Sequence, residues 1–214
     1  MNKLLNATAL ATVLTVGAFG LATQAHATTT LGIELEESGY TTFSETSTTS
    51  PLVVSQGFGT FSTNVETNVL NTNPLSIDLA STNISTGAAG TLTVIASISG
   101  LTAPTGLETF TSLLTGQVVS GTGSITMETY EDGTLFGTTN EIADLGLGQS
   151  GSTAIDATAP FSLTEVLTLT AGATGAEFSI DGDTTVPEPA SLAILGTALV
   201  GFGVIRRRRR SKQV

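Results

Sequence analysis

At 214 residues, with a formal net charge of −11 and no cysteine, the chain is long enough for one domain once its ends are set aside. That domain must be held by apolar burial without disulfides. Between Thr28 and Pro187 there is no Lys and no Arg, whereas seventeen of the eighteen carboxylates fall there and Glu188 is the other; such a polyanion has no internal salt bridge and lacks the cations that nucleic-acid phosphates require, so nucleic acid is excluded as a partner.

The N-terminus reads as a secretory signal over residues 1–27. Lys3 gives a small positive start, Leu4 to Leu21 is mostly apolar, and Ala25 and Ala27 flank His26 as small residues of the kind a signal peptidase reads. Asn6, Gly17 and Gly20 interrupt the run and argue against a buried helix, which places the mature start at Thr28.

Strand patterns follow, with an apolar side alternating with a hydroxylated or acidic one. Leu31, Ile33 and Leu35 alternate with Gly32, Glu34 and Glu36; Leu75, Ile77 and Leu79 with Ser76 and Asp78; Leu92, Val94, Ala96 and Ile98 with Thr91, Thr93, Ile95 and Ser97. Further strands are expected at Ser124 to Tyr130, Thr134 to Gly137, Phe161 to Thr170 and Ala176 to Ile180, separated by Thr86 to Gly90 and by Glu131-Asp132-Gly133. Phe43 to Ser50 reads as a solvated or O-glycosylated loop, and Asn83-Ile84-Ser85 fits an N-glycosylation tripeptide. No helical period of useful length occurs here and no fixed repeat emerges. The expected fold of residues 28–185 is therefore all-β, an antiparallel β-sandwich of jelly-roll or Ig-like kind. Glu165 breaks the pattern by sharing the phase of Leu163, Leu167 and Leu169; a bulge or an edge position would account for it, with a cation-binding or catalytic role as the alternative.

Chemistry is bounded by what is missing. His26 is the only histidine and falls in the signal, so the exported part has no His, Cys or Lys. Serine triads, thiol nucleophiles, Schiff-base lysines and His/Cys zinc sites are excluded, and no catalytic residue is assigned. Gly146-Leu147-Gly148-Gln149-Ser150-Gly151 spells G-x-G-x-x-G, but Ser152 to Pro160 offers no helix to receive a pyrophosphate, so it reads as a turn. A carboxylate pair working on a glycoside cannot be placed on named residues. No cofactor is expected beyond calcium, whose oxygen ligands could come from Glu128, Glu131 and Asp132, or from Asp181 and Asp183 beside Gly182, both read as acidic turns.

The C-terminal segment 186–214 has three parts in order. Pro187, Glu188 and Pro189 come first; the uncharged run 190–205 follows, about 24 Å long as a helix and read as a single transmembrane span; Arg206, Arg207, Arg208, Arg209 and Arg210 then lead a basic tail to residue 212 that holds the end in the cytoplasm. This order resembles the PEP-CTERM sorting signal of bacteria with two membranes. The resemblance implies recognition of Pro187, Glu188 and Pro189 by an exosortase, transient anchoring in the inner membrane, removal of the tail, and delivery to the cell surface or extracellular matrix, in company with exopolysaccharide and biofilm production. Pro160 to Thr170 also resembles a segment of uncharacterised exported proteins of this group. The expected function is that of a structural or interaction protein rather than an enzyme, with a calcium-assisted carbohydrate- or polymer-binding module as the alternative.

Overall fold

A computed structural model describes residues 28–70, 75–142 and 149–186. Ala25 and Ala27, Pro187, Glu188 and Pro189, the apolar run 190–205 and Arg206 to Arg210 lie outside the described residues. Ten strands follow in chain order: β1 (Thr30–Glu37), β2 (Phe43–Ser47), β3 (Leu52–Phe58), β4 (Phe61–Leu70), β5 (Leu75–Thr86), β6 (Gly90–Leu101), β7 (Gly106–Glu131), β8 (Thr134–Ile142), β9 (Gln149–Ala157) and β10 (Phe161–Val186). Every pairing is antiparallel.

Two of these strands make the architecture. β7 and β10 run for 26 residues each, far beyond the usual strand of about 5–6, because each turns back at glycines. The first half of β10 pairs with β6 and with the second half of β7. Its second half pairs with β5 and with the first half of β7. The register breaks between Ala171 and Ala176, where Gly175 has φ of +77° and faces Gly121 at +80°. A side chain on either would run into backbone, Gly175 oxygen in one case and Thr86 oxygen in the other, so only glycine permits this corner. One layer is thus β2-β1-β6-β10-β7-β8 and the other β3-β4-β5-β10-β7-β9, as in a sandwich.

Residues equally far from a bend meet across the interior. Ser112 Oγ lies 2.8 Å from Thr129 Oγ1, and the glutamate at 165 lies over Gly182. Leu31, Ile33, Leu92, Val94, Ile98, Leu167 and Leu169 from one layer close on Val65, Ile77, Leu79, Ile84, Phe178 and Ile180 from the other, all essentially inaccessible to water. Removing one such leucine down to alanine costs about 2–5 kcal/mol. At the end opposite the bends, Phe110 meets Phe161 edge-on with ring centres 6.4 Å apart and Phe136 at 5.2 Å. Both ends of β7 and of β10 return to this open end, as does the start of β1 through the Thr30–Ser99 pairing.

Several expectations are revised. Phe43 to Ser50 is not wholly loop, because Phe43–Ser47 forms edge strand β2 against β1. The strand expected at Thr134 to Gly137 continues to Ile142. Gln149 to Gly151 lie in β9, paired with β7, while the preceding glycines fall outside the described residues. Glu165 is neither at an edge nor at a bulge. It pairs with Ala96 on one side and Thr129 on the other, in unbroken register.

Candidate functional site

The two acidic groups predicted as calcium ligands differ in how the fold uses them. At the β7–β8 corner Asp132 adopts φ of +45°, and its Oδ1 accepts from the Ser162 backbone N–H at 2.7 Å and the Ser162 hydroxyl at 3.0 Å. Its own N–H donates to Ser162 oxygen at 3.1 Å. Asp132 therefore clamps the start of β10 to the corner through bonds that span thirty residues of sequence. Glu128 accepts the Tyr130 hydroxyl at 2.7 Å, which raises that phenol's pKa. Glu131 is buried on the opposite face of β7, and burial, then Asp132, push its carboxyl up. Alternation along the strand separates Glu128 from Glu131, so these three do not converge.

Asp181 and Asp183 are not at a turn but within β10, on its outer face. The fold brings them a partner not anticipated from sequence. Asp78 of β5 stands directly opposite Asp183, and Leu113 of β7 flanks Asp183 on the other side. Between Leu79 and Thr82, Ala80 and Ser81 of β5 face Asp181 alone, a bulge of the kind that re-aims side chains. The outcome is an open cleft of about 360 Å³ lined by Ser76, Asp78, Leu113, Thr115, Asp181, Asp183 and Thr185.

The electrostatics of this cleft are those of crowded acids without a counter-charge. Burial first, then Asp181 and Asp183, raise the Asp78 carboxyl from 3.8 to about 6, with a smaller push from Glu66. Burial and Asp181 raise Asp183. Glu66 is held by the Asn68 amide at 3.1 Å. Among the described residues no group of three or more His, Cys, Asp or Glu is placed to hold a metal ion; the cleft as it stands offers carboxylate pairs with hydroxyls around them.

Beneath the cleft, Glu165 of the facing layer approaches Gly182 across the interior. A Cβ at position 182 would stand 2.9 Å from Met127 Sδ, too close, and in ordinary contact with Glu165 Oε2 at 3.7 Å, so the missing side chain makes room for Met127 while the glutamate packs beside it. Neither Glu165 oxygen has a hydrogen-bond partner and the residue is fully buried. The neighbouring Thr184 hydroxyl, itself 3.3 Å from Ser112 Oγ, eases the ionised form only in part. Desolvation dominates and lifts the carboxyl to about 8, with Asp183, Asp78 and Asp181 adding to it. Glu165 is thus a core acid whose charged form is strongly disfavoured by burial.

Comparison with known proteins gives one firm match. Residues 185–210 fit the family model of the PEP-CTERM protein-sorting motif. No curated protein matches the chain. Solved structures with some likeness include TmCBM61 in complex with beta-1,4-galactotriose, at 10% identity and TM-score 0.33 over 62% of this chain and 92% of that one. A family 35 carbohydrate binding module from Clostridium thermocellum gives 7% and 0.25 over 63% and 98%, and CBM35 from Paenibacillus barcinonensis 12% and 0.24 over 72% and 98%. Overlap this slight transfers neither ligand nor residue roles. The C-terminal segment carries the PEP-CTERM protein-sorting motif, which implies an exported protein processed by an exosortase.

Proposed function

We propose that this chain is a non-enzymatic interaction protein, held for a time at the inner membrane by its C-terminal segment and then released to the cell surface or extracellular matrix, where it associates with exopolysaccharide. The observation that carries this reading is the sorting motif at 185–210, attached to an all-β domain that has no nitrogen base or thiol for catalysis in its sequence. Mass spectrometry of the mature protein from its host tests it. The expected product starts at Thr28 and ends near Pro187-Glu188-Pro189, and Glu188→Ala should accumulate in the membrane fraction at full length. Normal trimming of that variant would count against exosortase handling.

A second reading is favoured by the cleft over β5, β10 and β7. Its carboxylates and hydroxyls suit a polymer bound through shared calcium, with the cation relieving repulsion between Asp78 and Asp183. Binding of the host's exopolysaccharide that needs calcium, and that Asp78→Asn with Asp183→Asn abolishes, would support it. Binding indifferent to both would leave the first reading alone.

A further inference from the structure

The sandwich and the sorting motif share residues. The family match begins at Thr185, yet Thr185 and Val186 are the last rungs of β10, the first paired with both β5 and β7 and the second with β5. Val186 lies opposite Leu75, and Thr185 lies between Ser76 and Thr111. Val186 is 1% exposed and belongs to the core. No linker separates the last core residue from Pro187. From Val186 to the apolar run at Ala190 the chain can reach only about 14 Å even when fully extended.

A processing enzyme grips its substrate as an extended segment and satisfies that segment's backbone groups, much as a sheet edge does. On the near side of Pro187 those groups are already bonded to β5 and β7. We infer that the end of β10, Thr184 to Val186, must unpair from the sandwich before the sorting enzyme can close on the motif, so that the folded domain competes with its own cleavage. This rests on the sorting reading above. Fraying of a strand end is among the least costly openings a domain undergoes, so the competition slows processing without preventing it. The rate then depends on how firmly Leu75, Ser76 and Thr111 hold the last rungs.

Pulse-chase of the full chain in its host tests this. A spacer of six Gly and Ser residues between Val186 and Pro187 leaves every strand intact and frees the near side of the motif; it should speed tail removal roughly three- to tenfold, the gain expected when a local opening step is bypassed. Leu75→Ala, which loosens the rung opposite Val186, should speed removal by a smaller factor, with a thermal melt to confirm that the domain still folds. Processing of the spacer variant at the parental rate, or slower, overturns the inference. The sorting reading fails separately, through trimming of Glu188→Ala or through a mature parental chain that keeps residues 187–214.

Discussion

The corner at Glu131-Asp132-Gly133 and the cleft around Asp181-Gly182-Asp183 read alike as short acidic stretches beside glycine, and the fold treats them oppositely. In the corner the acid is committed: Asp132 receives two hydrogen bonds from Ser162 and fixes where β10 begins. In the cleft the acids face one another across strands, with Asp78 raised to about 6 and Asp183 raised too. A carboxylate that accepts hydrogen bonds from a neighbouring strand serves the fold. One held against other carboxylates is open to a proton or a cation, and its location depends on strand pairing rather than on local spacing.

The largest effect that would sharpen this contrast comes from beneath the cleft. Glu165 has its pKa raised from 4.5 to about 8 in the folded state. Between those values the folded chain keeps a proton that the unfolded chain has released. The contribution of Glu165 to stability is therefore greatest below about pH 4.5 and declines toward pH 8, at no more than about 1.4 kcal/mol per pH unit for one proton, before levelling. Urea unfolding at pH 5, 6.5 and 8 should show this decline, and Glu165→Gln should flatten it. Equal slopes in the two proteins would mean that Glu165 is not the acid responsible.

Asp132→Ala comes next. Losing the clamp on Ser162 should lower stability by about 1–2 kcal/mol, the range for a charged acceptor of backbone and hydroxyl donors. The urea midpoint should drop with unchanged denaturant dependence, and the loss should be insensitive to calcium. A shift within error would show that water replaces the clamp.

Sequence periodicity exposed the strands whose inner faces are purely apolar, such as Leu31 to Leu35 and Leu92 to Ile98. It missed those where the faces are mixed. In β4, Thr63 and Thr67 point inward beside Val65, and in the first half of β7 Glu108 and Ser112 are buried while Leu107 is 76% exposed, so the hydrophobic signal is scrambled. The glycines near 121 and 175 look like strand ends, because a pattern along the chain cannot distinguish a strand that stops from one that folds over and continues in the other layer. Glu165 was legible as an anomaly in phase; its burial was not, since it depends on β10 lying between β6 and β7, which pair Glu165 with Ala96 and Thr129. The cleft was half legible for a similar reason: Asp181 and Asp183 lie two residues apart in sequence, whereas Asp78 joins them only through the β5–β10 register.

Within the cleft, removing one charge should stabilise. Asp78 ionises at about 6 in the folded chain against 3.8 ordinarily, so its charge opposes folding at neutral pH and ceases to do so as pH falls through this window. The cleft is open to solvent and screening weakens the effect, so Asp78→Asn or Asp183→Asn should add only a few tenths to about 1 kcal/mol at pH 7. Near pH 4 the gain should shrink. A loss of stability in both variants would mean that these acids are held by favourable bonds rather than opposed to one another.

The smallest effect is the one that ties the cleft to a ligand. If calcium settles between Asp78 and Asp183, millimolar calcium should raise the melting temperature by about 1–3 °C through mass action on the folded state. A chelator should reverse the rise. Salt at equal ionic strength screens repulsion without bridging, so sodium chloride should give less. The two regions then separate cleanly, because Asp132→Ala should keep the calcium response while Asp78→Asn with Asp183→Asn should lose it. Should sodium chloride reproduce the whole shift, the cleft is only a repulsive patch relieved by any counter-ion; the polymer would then have to be recognised without calcium, through the hydroxyl and amide groups spread over the outer face of β5, β10 and β7.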